Sequence, residues 1–150
     1  MSTIKQFSGI WGELFSWSGS RTRYYDNQMA AGVRETWLIG KAEKAQNFAF
    51  RYYELDVSGR SRLEKHAHDH GIMFLHGQGR ILLGEEWQDV AQGDVVYIEP
   101  NQQHQILNTS QELLGFICVI PAVRVKNNKK VWAEEGLEFR AEITHNNATK

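Results

Sequence analysis

An all-β fold, an antiparallel barrel or sandwich, is the class this sequence predicts, and three observations predict it. Short runs of β-branched and aromatic residues recur along the chain, each closed by a Gly, Asn, Asp or Ser turn signal. Thirteen glycines stand against two prolines with 11% aromatics, a balance that favours turns and strands over a helical bundle. Little of the chain repeats its apolar residues at the helical period, and no fixed repeat or low-complexity tract is visible. A length of 150 residues suits one domain with a core of its own.

Residues 1–32 read as an N-terminal extension of irregular pattern. Its Ile10-Trp11, Leu14-Phe15 and Trp17 are too apolar for a solvated tail, so they cover one end of the domain or dock on a second subunit. Residues 33–39 read as a strand bounded by Gly32 and Gly40, and the polar 41–47 as a hairpin connection. In 48–57, FAFRYYELDV, one strand face carries Phe50, Tyr52 and Glu54 and the other Ala49, Arg51, Tyr53 and Leu55. Either way one tyrosine points inward. Ser58-Gly59 is expected to turn, residues 61–66 to form a strand, 67–69 a tight turn, and 71–75 a buried strand. Gly77-Gln78-Gly79 punctuates before a strand at 80–83, and Gly84-Glu85-Glu86 signals a hairpin with 87–90. Gly93-Asp94 turns into 95–98, a loop fills 99–103, and strands follow at 104–108 and 113–120. Pro121 ends this pattern, which places the barrel at 33–121 and a C-terminal extension at 122–150. Within that extension 123–130 is polar and basic, 131–143 is a strand or a short helix, and 144–150 is expected to be a disordered tail.

The chemistry concentrates in Glu64-Lys65-His66-Ala67-His68-Asp69-His70-Gly71. Side chains two apart on an extended strand share a face, so Glu64 and His66 point the same way. His68 or His70 joins them once the chain turns. A carboxylate and several imidazoles converging on one point are what a divalent metal requires. His104 stands in a second turn-rich segment, and the scaffold is expected to bring it back to this cluster.

Two blocks line up around these residues. Glu64-x-His66 is followed by three residues, His70, six residues and Gly77. Gly93 is followed by five residues, Glu99, one residue, Asn101, two residues, His104, three residues and Asn108. These spacings resemble the motifs of the cupin superfamily, G-x5-H-x-H-x3,4-E-x6-G and G-x5-P-x-G-x2-H-x3-N, and the resemblance covers about residues 33–121. Only residues 78–92 separate the blocks, as in small single-domain bacterial cupins. Two donors have exchanged places, with Glu64 where the pattern has histidine and His70 where it has glutamate. Glu99 and Asn101 replace proline and glycine, and Asn tolerates the left-handed turn that glycine serves. The leading glycine of the first block has its counterpart one position late, at Gly59. A second register pairs His66 with His68, but it puts Ile72 or Met73 at the carboxylate position and loses the step to Gly77.

The resemblance implies a double-stranded β-helix, the jelly-roll barrel, holding one divalent transition metal per chain on Glu64, His66, His70 and His104. Manganese or iron is expected first, with nickel, cobalt, copper and zinc within the reach of such donors. It implies a small-molecule metalloenzyme of dioxygenase or oxidoreductase type. A non-catalytic metal or ligand sensor, and an isomerase or lyase acting on a metal-chelated acid, are the alternatives. Small cupins are commonly dimers, and the apolar N-terminal segment and strand edges need covering, so a homodimer is expected.

A dry wall beside the metal is expected from Ile72, Phe74, Phe116 and one of Tyr52 or Tyr53, with Tyr53 carried forward. His68 reads as a turn residue near the mouth that supports a ligand by hydrogen bonding. Cys118 reads as a small buried hydrophobe, and its alternation with Phe116 would aim both at the interior. Arg51 reads equally as an anchor for a substrate carboxylate or as a surface or interface salt bridge. His76, at a strand end before Gly77, is expected to be exposed and no ligand; His145 belongs to the tail, and Glu85 and Glu86 to a hairpin tip. A phosphosugar isomerase would want a basic constellation, for which only Arg51 and a few peripheral residues are apparent.

A formal net charge of −1 and the lack of a helix-turn-helix-sized segment argue against a nucleic-acid partner. No apolar run approaches the ~20 residues of a membrane helix. A lone Cys118 fits a reducing compartment, and residues 1–20 lack the basic start and apolar core of a signal peptide, so a cytoplasmic protein is expected.

Overall fold

The computed structural model describes residues 2–10 and 13–135. Strands β1 (Phe7–Ser8) and β2 (Ser16–Trp17) pair as a small antiparallel ribbon. Among the described residues the main sheet has nine antiparallel strands: β3 (Arg21–Tyr25), β4 (Ala31–Ile39), β5 (Phe48–Arg60), β6 (His70–His76), β7 (Gln78–Leu83), β8 (Glu86–Ala91), β9 (Val95–Ile98), β10 (His104–Leu107) and β11 (Leu114–Pro121). A separate hairpin follows, β12 (Val123–Lys126) and β13 (Lys129–Trp132), turning through Asn127 and Asn128 at positive φ. No helix among the described residues is long and apolar enough to cross a membrane.

The sheet curls because β5 serves both of its halves. Along Phe50 to Leu55 it pairs with β4 on one side and β11 on the other, and at its far end Arg60 pairs with Leu107 of β10. Strand alternation then sorts the side chains. Ala49, Tyr53 and Leu55 join the interior with Val33, Trp37, Ile72, Phe74, Ile106 and Phe116. Phe50 and Tyr52 face the other way, yet Tyr52 is only 1% exposed, because Phe15 and Trp17 of the N-terminal segment lie on that outer face. Tyr52 is therefore buried on the outer face, while Tyr53 is half-buried on the inner face of the same strand. Phe15 stacks on Tyr52 with ring centroids 5.5 Å apart and donates its backbone N–H to Glu54 at 2.9 Å. Burying a side chain of that size stabilises by about 1.5–3 kcal/mol. The segment thus covers a sheet face rather than one end of the domain.

Three local expectations are corrected. Residues 21–25 are not irregular: Arg21–Tyr25 pairs with β4, so the sheet begins earlier than the glycine-bounded strand suggests. Ser58-Gly59 does not end a strand; both lie inside β5, where Ser58 takes φ +64 and the register against β4 shifts between Ala31 and Val33. A bulge bends a strand without terminating it. Residues 61–66 are not a strand. They run beside β10, but Ile106 N–H finds the Ser61 hydroxyl instead of a carbonyl, and Glu64 makes only an isolated bridge to His104. The basic stretch 123–130 is a hairpin, and Val131 and Trp132 belong to its second strand. Trp11, His145, the tail and residues 136–143 lie outside the described residues.

Candidate metal centre

Two turns and one bridge set the geometry of the histidines. His70 opens β6 and His104 opens β10, both facing the interior. His66 lies in the connection between β5 and β6, and its carbonyl accepts the Asn101 N–H at 2.7 Å. Asn101 sits at φ +65, the left-handed turn expected of it, and this swings the 99–103 loop against His66. Asn108 fastens the far end of β10: its Nδ2 reaches the carbonyls of Leu55 and Asp56, both at 3.0 Å, and that of Glu112 at 2.6 Å.

The donors converge. Among the described residues, ligand atoms of His66, His70 and His104 lie within 4.8 Å of one another. Glu64 Oε2 stands 3.7 Å from His66 Nε2 and 3.8 Å from His104 Nε2, at the edge of the trio. His66 Nδ1 donates to the His68 carbonyl and His104 Nδ1 to the Gln102 carbonyl, each at 2.9 Å. A carbonyl only accepts, so each Nδ1 carries its proton and, in the form of these rings that binds metal, the lone pair sits on Nε2. His66 Nε2 and His70 Nε2 are 2.9 Å apart. Such an approach suits either an N–H···N hydrogen bond or a shared cation, and three convergent imidazoles fit a divalent transition metal.

Electrostatics agree. Burial first, then the charge of Arg51, holds His70 down to about 2. Burial, then His66, then the charges of Arg51 and Arg124 hold His68 down to about 4. His104 is also lowered, chiefly by burial. Neutral rings are the form that binds metal. His68 stacks on His66 with centroids 3.7 Å apart, so it supports that ligand by its ring as well as by its carbonyl.

Behind His70 the wall is polar rather than dry. Arg51 is buried, not a surface or interface residue. Its Nη1 donates to the Tyr53 hydroxyl at 2.6 Å and its Nη2 to Cys118 Sγ at 3.1 Å, and Cys118 Sγ lies 3.0 Å from His70 Nδ1. Cys118 thus packs as a buried group and also touches the site; burial raises its thiol above the ordinary value against the pull of Arg51. The Tyr53 hydroxyl donates to Glu35 at 2.5 Å, and Glu35 also accepts from Tyr25 and Trp37, both at 2.9 Å. Sequence reading passed over Glu35. Its signal was parity: it shares a strand face with the apolar Val33 and Trp37. Ile72 and Phe116 line the same cavity as Arg51, Tyr53 and His104, whereas Phe74 stands behind Phe116 with ring centroids 5.4 Å apart.

A second, more open lobe adjoins the histidines. Arg51, Arg62, Lys65 and Arg124 line it together with Glu64, His66, His68 and His70. The basic constellation that looked scattered along the chain is gathered by the fold.

His76 is buried at 4% exposure, contrary to expectation, and lies apart from the histidine trio. The Tyr52 hydroxyl donates to Glu54 at 2.8 Å and sits 2.6 Å from His76 Nε2, on the outer face beneath Phe15. A register shift between Gly115 and Phe116 turns His76 that way. Gly115 is required there, since a Cβ would stand 2.2 Å from both His76 Nε2 and the Tyr52 hydroxyl.

Comparison with known proteins agrees with this architecture. The family model described as a Cupin domain matches residues 51–120. A cupin 2 conserved barrel domain protein from Rhodopseudomonas palustris is 32% identical, with 92% of each chain covered and a TM-score of 0.68. A cupin-2 domain structure from Rhodospirillum rubrum is 28% identical over 83% of this chain and 82% of its own, also at 0.68. The 1-methylthio-D-xylulose 5-phosphate methylsulfurylase of Rhodospirillum rubrum is 41% identical over 76 residues, 51% of this chain and 49% of that protein. The match therefore spans about half the length of that relative.

Proposed function

The chain belongs to the cupin family, and from that premise we propose that it is a metal-dependent enzyme acting on a small molecule through a carbonyl or hydroxyl oxygen. The observation that carries the reading is the trio His66, His70 and His104, with ligand atoms within 4.8 Å of one another and a cavity at its side. Bound there, a divalent cation, manganese or iron first, supplies Lewis-acid polarisation of a substrate oxygen. The protein's own groups do the rest. Arg51 places a fixed cation beside His70, held in orientation by Tyr53 and Cys118, and steadies negative charge that develops on the substrate. Glu64, at the edge of the trio, completes the donor set or holds a proton at its Oε2. Ile72, Ile106 and Phe116 exclude water from the inner side of the cavity.

The Arg51 cation, held by Tyr53 and Cys118 on the polar side of the cavity, supports chemistry in which negative charge develops on a hydroxycarbonyl compound, with Glu64 as the group that exchanges a proton. The relative named as a methylsulfurylase of a xylulose phosphate supports the same reading. Dioxygen chemistry is the second reading, favoured by the imidazole-rich donor set and the apolar inner side.

The test combines metal analysis with anaerobic incubation of hydroxyketones, ketose phosphates and hydroxy acids in heavy water, followed by proton NMR. Metal-dependent deuterium uptake beside a carbonyl is the expected result. Turnover that occurs only with dioxygen would transfer the assignment to the second reading. Metal content below about a tenth of an equivalent after reconstitution would remove both.

A further inference from the structure

We propose that the open lobe beside the histidines is a subsite for the phosphate group of a small phosphate monoester, gripped by Arg62, Lys65 and Arg124. The inference deepens the metal-dependent reading, since it assigns the far end of the same substrate, but it stands on different residues.

The three cations come from two segments that are distant in the chain. Arg62 and Lys65 lie on the connection after β5, and Arg124 lies on the β12 strand of the C-terminal hairpin. Their meeting around one lobe is a product of the fold, not of a charged run. Arg124 is oriented by its Nη2, which donates to the Ala133 carbonyl at 2.6 Å and so ties the hairpin's cation to a fixed point. Arg51 closes the floor of the lobe where it joins the inner cavity. Glu64 is the one carboxylate among the lining residues, and it is turned toward His66 and His104 as well as lying 4.0 Å from Arg62. Cations therefore dominate the lobe in a chain whose formal net charge is −1. A dianionic phosphate suits several cations better than a single carboxylate does, and arginine presents the fork that phosphate oxygens accept. The lobe shares Arg62, Glu64 and His70 with the inner cavity, so a molecule of a few carbons can span from these cations to the metal donors.

The probe is glycerol 3-phosphate, titrated calorimetrically into manganese-loaded and metal-free protein, with glycerol and acetate as comparisons. Glycerol 3-phosphate is expected to bind, glycerol and acetate much more weakly, and the affinity to fall with added salt. Lys65→Gln and Arg124→Gln should each weaken it about fivefold, as loss of one charged contact at a partly open site does. Metal content should stay unchanged in both. Lys129→Gln, an exposed cation of the same hairpin outside the lobe, should have no effect. Lys65 is exposed, so its variant keeps the test valid should Arg124→Gln disturb the hairpin. Equal affinity in wild type and Lys65→Gln, or binding lost with the metal yet indifferent to Lys65, overturns the proposal. Lys65-sensitive binding in protein that takes up no metal sustains the subsite while removing the metal-dependent reading.

Discussion

Glu64 and His104 share one rung of backbone: Glu64 N–H donates to the His104 carbonyl at 3.0 Å, and His104 N–H donates to the Glu64 carbonyl at 2.9 Å. Residues opposed in this way present their side chains on the same face. Two candidate donors from distant parts of the chain are thus fixed to each other before any metal arrives.

Loss of a donor from that rung should be felt in metal binding. His104→Ala is expected to weaken manganese affinity by about a hundredfold or more, and Glu64→Gln by about tenfold. His76→Ala should leave metal content intact while lowering stability by about 1–3 kcal/mol, because Tyr52 and Glu54 lose a buried partner. Equal metal loss in the His76 and His104 variants would mean that the donors are wrongly assigned.

Acid should destabilise the metal-free protein. His68 and His70 are held at about 4 and about 2 in the folded chain, below the ~6.5 of an unfolded histidine. Between those values the unfolded chain binds more protons, so stability rises with pH there and falls as pH drops below about 6.5. Urea midpoints at neutral and acidic pH check this. A flat profile would place both rings in contact with bulk water.

The buried pair behind His70 should be sensitive to removal of one member. Arg51→Met leaves the Glu35 carboxylate, 1% exposed, without the cation 4.0 Å away, and should cost about 3–5 kcal/mol. Adding Glu35→Gln should recover part of that loss. A double-mutant cycle by chemical denaturation measures the coupling, and strict additivity would argue against it.

Phe15→Ala should release the N-terminal cover at a cost of up to about 3–5 kcal/mol. Amide exchange is expected to rise in residues 2–25, with metal content unchanged. Faster exchange at His70 and His104 instead would show that the outer face supports the centre directly.

Oligomeric state is open to light scattering. The proposed homodimer predicts twice the 17.3 kDa chain mass, with the β9 edge and its exposed Val95 and Tyr97 as a surface that benefits from cover.

Much of this was legible in the order of residues. Strands β6 to β11 matched their expected spans to within a few residues, because Gly77, Gly84 and Gly93 occur where the backbone takes positive φ. His66, His70 and His104 were legible because their spacing resembles a known pair of motifs. The misses share a cause. Arg51 read equally as a substrate anchor or as a surface or interface salt bridge, because its partner Cys118 faces it only across the β5–β11 register. His76 looked exposed because the bulge that turns it outward, and the Phe15 that covers it, lie elsewhere in the chain.

By itself, the order of amino acids determined the alternation that makes strands, the glycines and asparagines that turn them, and which imidazoles were available as donors. These are local matters of backbone sterics and side-chain period. Tertiary structure alone decided that the wall behind His70 is polar, that Arg62, Lys65 and Arg124 share one lobe, and that Tyr52 is buried on the outer face while Tyr53 lines the inner cavity. Burial and charge depend on what comes to lie across a sheet, and no residue carries that information in its own neighbourhood of the chain.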